Sequence, residues 1–169
     1  MKTRILAAMF AVIVMCAVGD PAYAQNSGVG GDNLTRLLWR ATDGSISLYK
    51  IDTNNNVISN HSYGPYQGTL AVAMTVAANN NTYVLWRNTN GSMTLWLVDP
   101  NLNFVTNIVS GPFPGWIAEH LSADTGGMSN LRLTWRHTVG EYAVWVVRPD
   151  LSVASSVGYG PFFGYLPGE

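Results

Sequence analysis

Three groupings in this sequence have residue types and spacings suited to binding chemistry. The first is a Trp–Arg pair that occurs three times, as Trp39–Arg40, Trp86–Arg87 and Trp135–Arg136. A guanidinium grips hydroxyls or carboxylates through paired N–H donors. The same arginines would serve equally as structural groups, stacked on an aromatic or paired with Asp43, Asp52 or Asp99. The second grouping is a Gly-Pro-aromatic-x-Gly element, GPYQG at 64–68, GPFPG at 111–115 and GPFFG at 160–164, followed by Thr69, Trp116 and Tyr165. It gathers Tyr66, Phe113, Trp116, Phe162 and Tyr165 at equivalent ends of successive segments. Flat aromatic faces beside amides and hydroxyls suit sugar rings, whose C–H faces are apolar and whose edges form hydrogen bonds. The plainer role for these aromatics is to plug seams between segments, with Gly-Pro merely ending a strand. The third grouping is a D-x-N-x-N pattern at 52–56 and 99–103. Alternating oxygen ligands open calcium loops, but the required glycine and closing glutamate are missing. Asx-rich hairpin turns account for the pattern better, so no metal and no cofactor is expected.

Catalytic arrangements are harder to find. His61, His120 and His137 fall at non-equivalent positions without metal-ligand spacing. There is no G-x-S-x-G, and no paired carboxylates stand out. Asp43-Gly44-Ser45 is similar to the Asp-box of some propeller hydrolases only as a turn. A non-enzyme is the expectation, with a glycan hydrolase assembled from remote residues as a minor alternative.

The elements that must position these groups repeat with the pairs. The Trp–Arg pairs stand 47 and 49 residues apart, each with a glycine (Gly44, Gly91, Gly140) five residues after the Trp and a second aromatic (Tyr49, Trp96, Trp145) ten residues after it. In the middle unit, 70–77 is an alternating run of small and β-branched residues. Residues 83–87 alternate again, with Val84 and Trp86 on one face and Tyr83, Leu85 and Arg87 on the other. An Asn90-Gly91 hairpin turn follows, then strands over 93–98 and 104–109. Four short strands joined by tight turns form an antiparallel meander, and no stretch has helical periodicity. The chain is therefore read as all-β, with units over 34–68, 69–115 and 116–169.

Two architectures fit. A β-propeller packs blades of this length around a channel whose innermost strands need small residues, as Ala71, Ala73 and Ala77 provide. A β-trefoil has three four-stranded repeats, but needs a twelfth strand that 25–33 is poorly suited to supply. The propeller-like arrangement is preferred and the trefoil kept as the alternative. Three blades leave open edges, which predicts a homo-oligomer that completes the ring.

The repeats resemble secreted bacterial propeller-type repeats and propeller lectins of the tachylectin kind. Gly115-Trp116, Leu131–Trp135 and Tyr142–Val147, with their counterparts in the other units, carry the resemblance at the level of layout. Thr69 and Tyr165 depart from it where Trp116 stands. What the resemblance implies is sugar binding between adjacent blades.

Residues 1–24 read as an export signal. Lys2 and Arg4 precede an apolar run over 5–18, and Ala22-Tyr23-Ala24 is an A-x-A cleavage site. The run is shorter than the roughly 20 residues that span a bilayer, and Ile13-Val14-Met15 before Cys16 is too bulky for a lipid-attachment site. Residues 25–33 read as a flexible Gly-rich lead-in. Without 1–24 the chain keeps 7 basic and 9 acidic residues, a net charge of −2, and no cysteine. Such a sparse charge argues against nucleic acid or an anionic membrane as partner. Stability without disulfides must come from the core. The function expected is a secreted carbohydrate-binding module, with Tyr66, Phe113, Trp116, Phe162, Tyr165, Arg40, Arg87 and Arg136 as site residues. A structural or adhesive cell-envelope protein is the alternative.

Overall fold

The structure is a computed structural model that describes residues 27–124 and 129–164. Residues 1–24 and Tyr165 lie outside the described residues. Twelve strands form three four-stranded antiparallel sheets. Sheet 1 holds β1 (Ser27–Val29), β2 (Thr35–Arg40), β3 (Ile46–Ile51) and β4 (Val57–Tyr63). Sheet 2 holds β5 (Thr69–Val76), β6 (Thr82–Asn88), β7 (Met93–Val98) and β8 (Phe104–Ser110). Sheet 3 holds β9 (Trp116–Ala123), β10 (Leu131–His137), β11 (Tyr142–Val147) and β12 (Val153–Tyr159). Within each sheet the strands lie in chain order, and the sheets do not close on themselves. There is no helix among the described residues. This is a partial propeller-like stack of three repeats rather than a trefoil.

One expectation is corrected. Ser27–Val29, inside the stretch read as a flexible lead-in, pairs with Thr35–Leu37 and supplies the twelfth strand. The glycines that suggested mobility are there because the backbone is crowded. A Cβ on Gly28 would lie 2.9 Å from the Val76 side chain, and one on Gly31 would lie 2.6 Å from the Ala78 carbonyl oxygen. Arg36 ties this corner down. Its Nη1 and Nη2 donate to the two Asp32 oxygens at 2.7 Å each, and Nη1 also donates to the Leu34 carbonyl at 2.8 Å.

The sheets stack through their inner strands, β1 against β5 and β5 against β9. Sheet 2 is covered on both faces. Val84, Trp86 and Val98 pack toward sheet 1 with Leu38, Ile46 and Leu48. Tyr83, Leu85, Met93 and Leu95 pack toward sheet 3 with Leu121, Leu133, Trp135 and Val147. Period-two alternation thus fills two separate cores from one sheet. The small inner-strand residues Ala71 and Ala73 are buried, as a crowded axis requires. The outer strands β4, β8 and β12 are mostly exposed.

The turns work differently from a simple Asn-Gly hairpin. Only Gly91 has a positive φ (83°) there, and Asn90 contributes its side chain, which accepts from Ser92 N at 3.0 Å and Ser92 Oγ at 2.7 Å. Asp43 does the same for Ser45. A tight turn followed by one left-handed glycine satisfies the strand twist without asking Asn for strained φ.

Candidate functional site

A cleft of about 220 Å³ opens at the seam between sheets 2 and 3. From sheet 2 come Arg87 and Asn88 at the end of β6, then Thr89, Gly91, Ser92 and Met93. From sheet 3 come Trp116, Ile117 and Ala118 at the start of β9, and Trp135 of β10. A more open hollow of about 330 Å³, lined by Gly68, Thr69, Leu70, Arg87, Asn88 and Thr89, shares three residues with it.

Each element arrives here for a local reason. Phe113 and Trp116 belong to the Gly-Pro-aromatic turn, closed by Trp116 N donating to the Phe113 carbonyl at 3.0 Å. Gly115 within it has φ +80°, and a Cβ there would run into the His137 ring. The glycine therefore lets the turn lie flat on β10. His137 meets Trp116 edge to face, centroids 4.9 Å apart, and fixes the indole at the cleft wall. Arg87 is anchored across the seam, its Nε donating to the Ala118 carbonyl at 2.9 Å. Asn88 Nδ2 donates to Ser92 Oγ at 2.8 Å and Thr94 Oγ1 at 3.0 Å. Its Oδ1 and Trp135 Nε1 are buried without a hydrogen-bond partner.

The expected site residues divide. Arg87 and Trp116 share the cleft. Phe113 does not line it but plugs the same seam, edge-on to Trp135 at 5.4 Å and Trp145 at 5.7 Å. Tyr66 does the same at the seam of sheets 1 and 2, edge-on to Trp86 at 5.7 Å and Trp96 at 5.4 Å. Arg40 spans that first seam, donating to the Ala71 carbonyl at 3.0 Å. Arg136, on the outer face of sheet 3, instead pairs with Glu119 at 2.6 Å. Phe162 is exposed there as well. The seven described residues therefore occupy several places, and in two of its three copies, Arg40 and Arg87, the repeated arginine is first of all a rivet between sheets.

Asn88, Thr89 and Ser92 belong to the cleft and were not singled out from the sequence, whereas Trp135 stood out there only as the neighbour of Arg136. A departure from the repeat marks one of them. Asn88 stands where the other units have Ala41 and His137. At the first seam Ala41 replaces Asn88 and Thr69 replaces Trp116, so that seam lacks both the amide and the indole.

The carboxylates of the hairpin turns are held by those turns. Asp52 Oδ1 accepts from the backbone of Asn54 and Asn56 at 2.9 and 2.8 Å, and Oδ2 accepts from Asn56 Nδ2 at 3.1 Å. Asp99 repeats this with Asn101 and Asn103. The hydrogen bonds from Asn56 keep the Asp52 carboxyl below its ordinary range, and those from Ser45 and Ser152 do so for Asp43 and Asp150. These are Asx-turns, as the sequence suggested.

No protein-family model matches the chain, and no curated protein matches it either. Among solved structures, a protein of unknown function from Bacteroides caccae is similar, with a TM-score of 0.48 and 10% identity over 78% of this chain and 44% of that one. The chain thus spans less than half the length of that structure.

Proposed function

We propose that the protein is an exported, non-enzymatic module that binds carbohydrate in the cleft between sheets 2 and 3. The observation that carries this reading is the meeting of Trp116, Arg87 and the polar Asn88, Thr89 and Ser92 side chains from two sheets in one recess. An indole wall offers a face for the apolar side of a sugar ring, and hydroxyl, amide and guanidinium groups suit its edge. At about 220 Å³ the cleft is smaller than the roughly 300 Å³ at which drug-sized sites begin. It fits one ring or the end of a chain. Export rests on the charged, apolar and A-x-A segments of residues 1–24.

The test is a glycan array or polysaccharide pull-down with the wild-type protein, Trp116→Ala and Arg87→Gln. Both variants should weaken binding at least about tenfold, the scale of losing roughly 1.4 kcal/mol, with circular dichroism unchanged. An envelope or adhesive role is favoured by one observation, the use of Tyr66 and Phe113 as seam plugs. It predicts that no sugar binds and that tryptophan fluorescence is indifferent to every glycan, an outcome that removes the lectin reading.

A further inference from the structure

The outer faces of the three-sheet stack carry the two separated halves of a seam that occurs twice inside it. At the seam of sheets 1 and 2, Tyr66 leans on Trp86 and Trp96. At the seam of sheets 2 and 3, Phe113 leans on Trp135 and Trp145. The counterparts of the tryptophan pair on sheet 1 are Trp39 and Tyr49, and among the described residues no sheet covers them. Trp39 is 59% exposed, whereas Trp86 and Trp135 are each 2% exposed. The counterpart of the plug at the far end is Phe162, which is 47% exposed. One face lacks a plug and the other lacks its tryptophan.

Polar contacts follow the same rule. Tyr63 of sheet 1 donates its hydroxyl to the Leu102 carbonyl of sheet 2 at 2.5 Å. Its counterpart on sheet 3, Tyr159, is exposed. Tyr83 of sheet 2 reaches the Pro149 carbonyl beside the Asp150 turn of sheet 3 at 3.3 Å. On sheet 3 the Tyr83 position is Arg132, and on sheet 1 the position of Pro149 is Thr53, next to Asp52. Laying sheet 3 on a second sheet 1 would therefore bring a cation to an anionic turn.

We infer that sheet 3 of one copy stacks on sheet 1 of a second copy with the geometry of the internal seams, and that this occurs twice to close a ring. Propellers typically hold about four to eight blades. Six is the only multiple of three in that range, so the ring contains two copies about a two-fold axis. The occupant is a second copy because each face repeats half of an interface the protein already makes with itself. The new seams are more polar than the internal ones. Glu119 and Thr134 of sheet 3 stand where sheet 2 has Val72 and Leu85. Faces that must be stable in water before they meet need such groups.

Sedimentation velocity and light scattering on the purified protein at tens of micromolar test the inference (a concentration suited to the micromolar-range affinity of a modest interface,). The expected mass is twice that of one chain. Trp39→Glu spoils one face and Phe162→Glu the other, so each variant alone should run at half the wild-type mass with unchanged far-ultraviolet circular dichroism. Mixed together, the two variants retain one intact seam and should recover the two-chain mass. A single-chain wild type would overturn the inference. Self-association of Trp39→Glu, or failure of the mixture to pair, would also overturn it.

Discussion

Arg36 is the least expected residue in the molecule, a fully buried cation in a sequence with few charges. It stands where sheet 2 has Tyr83, and its guanidinium forks onto Asp32. Breaking a buried pair costs far more than never having built it, because the remaining charge stays out of water. Asp32→Asn should therefore destabilise the fold by about 3 kcal/mol, the low end of that range because the Asp32 side chain keeps 26% of its surface exposed. Denaturant melts measure this. The same pair sets an acid limit. The hydrogen bond from Arg36 lowers the Asp32 carboxyl below its ordinary 3.8, so the folded state holds fewer protons than the unfolded chain in that window. The stability it provides is complete above about pH 4 and is lost as pH falls through the folded value. Thermal melts between about pH 5 and pH 2 should show this loss, and Asp32→Asn should flatten it.

At the scale of the element, the Gly-Pro-aromatic turn is the part most sensitive to small changes. Gly115→Ala forces a side chain into φ +80° and against His137, and should cost about 2 kcal/mol. It should also shift Trp116 and weaken any ligand that depends on the cleft, a pairing that melts and binding assays on one variant will separate. The repeat made most of this architecture legible. Two-residue alternation at Val84, Trp86, Tyr83 and Leu85 assigned each side chain to the correct core, and the strand over 93–98 matches its expected limits. Three features were illegible for physical reasons. β1 is short and rich in glycine because it is pressed against β5. Leu102 and Leu151 adopt φ of 67° and 71° in turns that read as polar, since their side chains are buried in the seams. The cleft depends on Asn88 and Trp135 converging from different sheets, and no local pattern encodes that distance.

At the scale of the whole molecule, among the described residues sheet 2 alone is buried on both faces, and its neighbours each leave one face bare. Every seam has a direction, since an arginine of one sheet binds an inner-strand carbonyl of the next, Arg40 to Ala71 and Arg87 to Ala118. That direction is why the outer faces differ from each other and why a pairing of two sheet 1 faces offers nothing to the arginine. The seams also hold pairs of indoles, Trp86 with Trp96 at 4.7 Å and 46°, and Trp135 with Trp145 at 4.9 Å and 48°. Transition dipoles that close and that oblique couple strongly. The far-ultraviolet circular dichroism should therefore carry an exciton couplet from the indoles on top of the β-sheet signal. Trp96→Phe should remove the part that belongs to the first pair and leave the second, so each seam has its own optical reporter, readable without any label.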